Sequence, residues 1–138
     1  IKNKDAFDKR KVYVCISNHR SLLDVPAWAM ACKHPVRFLS KEEMMKVPVF
    51  GYVLKRVYIA VNRSDRNDRF KSMTKMKETI DAGTSMFLAP EGTRNKSGNI
   101  LLELKDGAFR LAIAAQVPLR VLTLYNTDNL LSPTKLYF

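Results

Sequence analysis

The run SNHRSLLD (17–24) places His19 five positions before Asp24, between a β-like run and an apolar one. A carboxylate held against one imidazole nitrogen fixes the ring tautomer and stabilises the imidazolium, which leaves the other nitrogen as a base toward a hydroxyl. On a continuous helix, positions five apart diverge by about 140°. The pair can therefore meet only if His19 lies in a turn and its ring folds back over the first turn of a helix that begins near Asp24. The same residues also suit a plain helix start. Asp24 precedes Val25 and Pro26, and Ser21 with Asp24 fits a capping box, in which case His19 is an ordinary loop histidine. On its own the stretch leaves both readings open.

FLAPEGTRNKSG (87–98) is a second constellation. Pro90 is rigid, Glu91 is acidic, Gly92 permits close backbone approach, Thr93 offers a hydroxyl, and Arg94 can grip a phosphate through two N–H groups. Lys96 adds a point charge nearby. A polar turn would explain Gly92 and Asn95 but not the ordered set. Arg63, after the strand-like VYIAV, is a further cation, and taken alone it reads equally well as a solvated surface charge.

Strand-like and helical runs alternate between these groups. KVYVCIS (11–17), VRFLS (36–40), VYIAVN (57–62), SMFLA (85–89) and VPLRVLTLY (117–125) are rich in β-branched and aromatic residues. Between them lie a short buried helix at VPAWAMACK and the run KEEMMKVPVFGYVLKR, which begins like a helix and meets Pro48 and Gly51. A longer helix is expected over 65–81, with Phe70, Met73, Met76 and Ile80 near helical spacing and Gly83 as a stop, and a last one at DGAFRLAIAAQ. This alternation predicts an α/β fold with a largely parallel central sheet flanked by helices. In such sheets ligands bind beyond the carboxyl ends of the strands, and SNHRSLLD, NRSDR and PEGTR each follow a strand candidate directly. The active-site loops should share one edge.

The bulk numbers narrow the setting. With 138 residues and 46% hydrophobic content we expect one domain over 1–138, cut at both ends from a larger protein. Lys and Arg number 24 against 13 Asp and Glu, a net charge of +11, so an anionic partner is expected. The two cysteines, Cys15 and Cys32, lack metal-ligand spacing and read as reduced, buried thiols. No run approaches the ~18 apolar residues of a membrane-spanning helix, and the start is not a signal peptide.

NHRSLLD, PEGTR and the apolar block VPLRVLTL follow one another in the order seen in glycerolipid acyltransferases. The sequence resembles the 1-acyl-sn-glycerol-3-phosphate (lysophosphatidate) acyltransferase family over nearly its whole length, with NHxxxxD followed by PEGTR as its most specific signature. That resemblance implies transfer of a fatty acyl group from an acyl thioester to the 2-hydroxyl of lysophosphatidate, giving phosphatidate. The thioester would be acyl-CoA or acyl-carrier protein, a co-substrate rather than a cofactor. His19 would be the general base and Asp24 its orienting partner. Glu91, Gly92, Thr93 and Arg94, with Arg63, would form the glycerol-phosphate site, and Lys41 would lie near the phosphate. A relative that holds phospholipid without catalysis, or one that acts on another lysophospholipid, would share the same anion site. The chain departs from the family pattern at Ala60, where an aromatic is usual, at Ala89 in place of Phe before Pro90, and at Val121 in place of a proline.

Such a substrate implies association with the cytoplasmic face of a membrane. KEEMMKVPVFGYVLKRVY interleaves Met44, Met45, Val47, Val49, Phe50, Tyr52 and Leu54 with Lys46, Lys55 and Arg56, as a segment lying on an anionic membrane surface would, although a core strand or helix could use the same apolar residues. The charge alone would also suit nucleic acid, but that reading gives no role to His19 with Asp24 or to 90–94, so we expect no nucleic-acid partner. Two histidines, His19 and His34, without a second carboxylate at ligand spacing do not make a metal site, so no metal is expected.

Overall fold

The computed structural model describes residues 8, 10–32, 35–41, 57–62 and 65–131. His34, Arg63 and the interleaved segment from Met44 to Arg56 lie outside them, and Lys41 is described by its backbone alone.

The expected alternation is present. Strand β1 (Val14–Ser17) leads to α1 (Asp24–Ala31), then β2 (Val36–Lys41), β3 (Tyr58–Val61), α2 (Arg66–Asp81), β4 (Ser85–Leu88), α3 (Gly107–Ala115), β5 (Leu119–Leu122) and the short α4 (Thr127–Leu130). The strands form one sheet in the order β3-β2-β4-β1-β5, and every neighbouring pair runs parallel. Parallel neighbours need crossovers, and among the described residues α1, α2 and α3 lie on them and cover the two sheet faces. The inner strands β1 and β4 are accordingly buried at all four positions, whereas the edge strand β5 is not.

Side chains alternate across the sheet with period two. Val14, Ile16, Met86 and Leu88 pack on one face against Met76 and Ile80 of α2 and Ala108, Leu111 and Ala112 of α3. Tyr13, Cys15, Phe38 and Phe87 point to the other face, against Trp28 and Cys32 at α1. The result is three layers, with α1 on the face that carries the aromatic cluster and α2 and α3 on the other.

Local chemistry sets the boundaries of α2. The Asp65 carboxylate accepts from the Asn67 N–H at 2.8 Å and more weakly from Asp68 at 3.4 Å, capping the helix. At the far end Gly83 adopts φ +85° and donates to the Ile80 carbonyl at 2.9 Å. Phe70, expected on the packed face, is 75% exposed. Its place is taken by Ser72, which is buried and donates to the Ala60 carbonyl at 3.3 Å. The true stripe is Ser72, Met76 and Ile80, one turn apart, and Phe70 falls to its side. The strand expected over 117–125 is shorter, running from Leu119 to Leu122, and the short helix α4 follows it.

Both cysteines are buried and free. A thiol contact with Cys32, together with burial, pushes the Cys15 thiol far above its usual range. Because the thiolate is the reactive form, native protein at pH 8 should resist alkylation at Cys15 for as long as it stays folded and should react readily in denaturant. Equal labelling rates in the two conditions, read by mass spectrometry, would contradict this packing.

Candidate active site

All five strands run the same way, so their carboxyl ends lie on one edge, and the described residues that follow them, 18–23, Asn62, 89–95 and 123–126, are brought to that edge.

The loop after β1 brings His19 against Asp24, the first residue of α1. Ser21 Oγ accepts from the Leu23 N–H at 3.2 Å, and the Ser21 N–H donates to Asp24 Oδ2 at 2.7 Å, which ties the loop to the first turn of α1, although its N-cap, Leu23, makes no side-chain cap. The Arg20 N–H donates to the same oxygen at 2.7 Å, and His19 Nδ1 lies 2.8 Å from it. Asp24 is fully buried and His19 keeps 17% of its side chain exposed. Burial alone would raise the Asp24 pKa, but the bonds from His19, the Ser21 N–H, the Thr127 hydroxyl and the Arg20 N–H outweigh it and hold the carboxyl below its ordinary value. Facing an ionised carboxylate, Nδ1 must carry the proton, which leaves Nε2 with its lone pair. Behind the imidazole stands the Trp28 ring, with centroids 5.0 Å apart, itself stacked on Phe87 at 4.5 Å.

The loop after β4 grips the first loop by its backbone. Glu91, 3% exposed, accepts from the His19 N–H at 2.9 Å through Oε1 and from the Leu102 N–H at 2.9 Å through Oε2. The His19 carbonyl accepts from the Asn95 N–H at 2.7 Å. Both peptide groups of His19 are thus held by the 89–95 segment. Asn95 is itself fully buried, accepting from the Ser97 N–H and hydroxyl and donating to the Asn99 carbonyl. Glu91, expected among the glycerol-phosphate ligands, therefore faces inward with both oxygens occupied. Gly92 has φ +71°, a conformation that favours glycine. Thr93 is exposed and Arg94 half-buried, and neither side chain has a hydrogen-bond or ion-pair partner among the described residues.

Asn18 ties in the edge strand. Its Nδ2 donates to the Leu124 carbonyl at 2.9 Å and its Oδ1 accepts from the Leu124 N–H at 2.8 Å, so the side chain imitates a peptide group just past the end of β5. Arg20 reaches Asp128 in α4 at 2.7 Å and the Asn99 carbonyl at 2.8 Å, and Ser21 Oγ donates to the Leu131 carbonyl at 2.7 Å. Asn18 and Asp128 carry no role in the sequence reading, because a side chain bound to backbone or to an arginine more than a hundred residues away leaves no spacing pattern. Lys41 ends β2 at the same edge, in register with Val61. An open cleft of about 410 Å³ lies alongside, between Asn18, Glu91, Leu101, Leu104, Val121 and Tyr125, within the size range of small-molecule sites. Among the described residues no group of three or more His, Cys, Asp or Glu could hold a metal ion, and no helix is long and apolar enough to cross a membrane.

Residues 1–124 match the Acyltransferase family. The chain is 31% identical over 132 residues to a chloroplastic 1-acyl-sn-glycerol-3-phosphate acyltransferase of Brassica napus, covering 95% of this chain and 37% of the relative. It is 30% identical over 115 residues to the 1-acyl-sn-glycerol-3-phosphate acyltransferase of Helicobacter pylori, covering 81% and 48%. The chain thus spans from about two fifths to about half the length of these relatives. The crystal structure of the 1-acyl-sn-glycerophosphate acyltransferase PlsC from Thermotoga maritima shares the fold, with a TM-score of 0.70 at 24% identity over 86% of this chain and 46% of that one.

Proposed function

Because this chain belongs to the acyltransferase family, we propose that it carries the catalytic centre of a lysophosphatidate acyltransferase, moving a fatty acyl group from an acyl thioester to the 2-hydroxyl of 1-acyl-glycerol-3-phosphate. The observation that supports this most is the 2.8 Å contact between His19 Nδ1 and the buried Asp24 carboxylate, on a loop whose His19 peptide groups are both hydrogen-bonded.

In this mechanism His19 Nε2 accepts the proton of the 2-hydroxyl as its oxygen attacks the thioester carbonyl. Asp24 stabilises the imidazolium through Nδ1–H. When the tetrahedral intermediate collapses, the C–S bond breaks, and the proton passes from Nε2 to the departing sulfur of coenzyme A or acyl-carrier protein. The hydroxyl attacks directly, so no acyl-enzyme forms. Arg94, with Thr93, and with Arg63 and Lys41 from the neighbouring strand ends, holds the phosphomonoester. Glu91 and Gly92 shape the loop that presents them. The surplus of basic residues favours docking on an anionic membrane surface, where the acceptor resides.

The reading is tested with full-length protein in mixed micelles, following phosphatidate formation from lysophosphatidate and acyl-CoA. Wild type should turn over, and Arg94→Ala should raise the KM for lysophosphatidate about tenfold or more, the loss expected for one charge-assisted phosphate contact. An unchanged KM would remove Arg94 from the phosphate site.

A further inference from the structure

The side chain that crosses the 89–95 loop belongs to Lys105, which no motif singles out. A Cβ added at Gly92 would lie 3.1 Å from Lys105 Nζ and 3.2 Å from its Cδ and Cε. The ammonium and the last methylenes therefore rest across the Gly92 backbone, between Glu91 and Thr93. Lys105 is anchored there by its own N–H, which donates to the Pro90 carbonyl at 2.9 Å.

Glu91 and Asp106, the acids flanking Gly92 and Lys105 in the chain, are committed elsewhere. Both Glu91 oxygens accept from backbone N–H groups, and Asp106 pairs with Arg110 at 2.7 Å. Lys105 has no ion-pair partner among the described residues. An ammonium held against a loop that also presents the unpaired Arg94 raises the local positive potential and favours an anion. Gly92 then has a second reason to be glycine besides its φ: it keeps open the lane in which the lysine lies.

We propose that Lys105 Nζ contacts the phosphomonoester of the acceptor beside Arg94, as a specificity residue for phosphate-bearing acceptors. This rests on the reading of the loop as the phosphate site. The ammonium would act as a mobile point charge and Arg94 as the planar fork, a division that suits a dianion with three terminal oxygens.

The test uses full-length protein, with inhibition by glycerol 3-phosphate as a readout of phosphate binding and Arg94→Ala as reference. Lys105→Met keeps the stem and removes the charge. It should raise both the KM for lysophosphatidate and the Ki for glycerol 3-phosphate about tenfold, as loss of one charged hydrogen bond implies, with kcat within about twofold. Lys105→Arg should recover most of the loss. If Lys105→Met changes neither constant while Arg94→Ala raises both, Lys105 is a solvated surface charge, and this proposal fails while the phosphate site stands. If neither variant moves either constant, or glycerol 3-phosphate does not inhibit wild type, the loop is not the phosphate site and both fail. A fall in kcat with both constants unchanged would make Lys105 a support of the loop and also overturn the proposal.

Discussion

Replacing His19 with Ala should lower acyl transfer by about 10²-fold or more, with binding of lysophosphatidate to mixed micelles of the protein retained. The two halves of this result separate chemistry from folding. The imidazole contributes one side-chain bond, to Asp24, whereas the fixed position of the loop comes from the His19 peptide groups, which Glu91 and Asn95 hold whatever the side chain. Ala keeps those peptide bonds. The variant should therefore fold with the 89–95 segment in place, lose the base, and keep the phosphate contacts. Equal rates for wild type and variant would reduce His19 to a loop residue and SNHRSLLD to a helix start.

Asp24→Asn should cost about 10² to 10⁴-fold in kcat, comparable to other sites where the carboxylate behind a catalytic histidine becomes an amide. Three of the bonds to Asp24, from His19 Nδ1 and the Arg20 and Ser21 N–H groups, converge on Oδ2. An asparagine can therefore keep its oxygen at the Oδ2 position and turn its NH₂ to the other side, where the Thr127 hydroxyl can accept instead of donate, so the geometry survives and the negative charge does not. What is lost is the stabilisation of the imidazolium and the preference for the tautomer protonated at Nδ1. Stability should report the same charge. The folded pKa of Asp24 lies below its ordinary 3.8, so its contribution is fully present above that value and disappears as the pH falls through the folded pKa. Denaturant unfolding should show Asp24→Asn less stable than wild type at pH 7, with the gap narrowing below about pH 4. A gap independent of pH would mean that Asp24 is not held as a carboxylate.

The parts of this structure that could be read from sequence are those written in local periodicity. β1 and β4 follow from VYVCIS and SMFLA, α2 from the helical spacing of Met73, Met76 and Ile80 and the Gly83 stop, and the shared edge of the loops from the βα alternation. The meeting of His19 with Asp24 was legible as a possibility, because a histidine in the turn before a helix can fold back over its first turn; that the same Asp24 oxygen also takes the Arg20 and Ser21 N–H groups was not. Phe70 shows where periodicity alone misleads: the buried position is Ser72, whose hydroxyl finds the Ala60 carbonyl, a partner twelve residues away. Glu91 is the larger lesson. Its carboxylate bonds to the His19 N–H, 72 residues distant, and a fixed distance in space of that kind has no signature in one sequence. Asn18 and Asn95 act similarly, through backbone partners that only the folded chain brings near.

The direct attack of the acceptor on the thioester is tested most plainly by counting. Full-length protein would be mixed with acyl-CoA in micelles, with and without lysophosphatidate, while released thiol, phosphatidate and protein-bound acyl groups are measured together. Direct transfer through His19 predicts thiol release only when the acceptor is present, one phosphatidate per thiol, no acylated protein, and loss of both products in His19→Ala. A burst of thiol without acceptor, matched by acyl groups covalently bound to the protein, would contradict it.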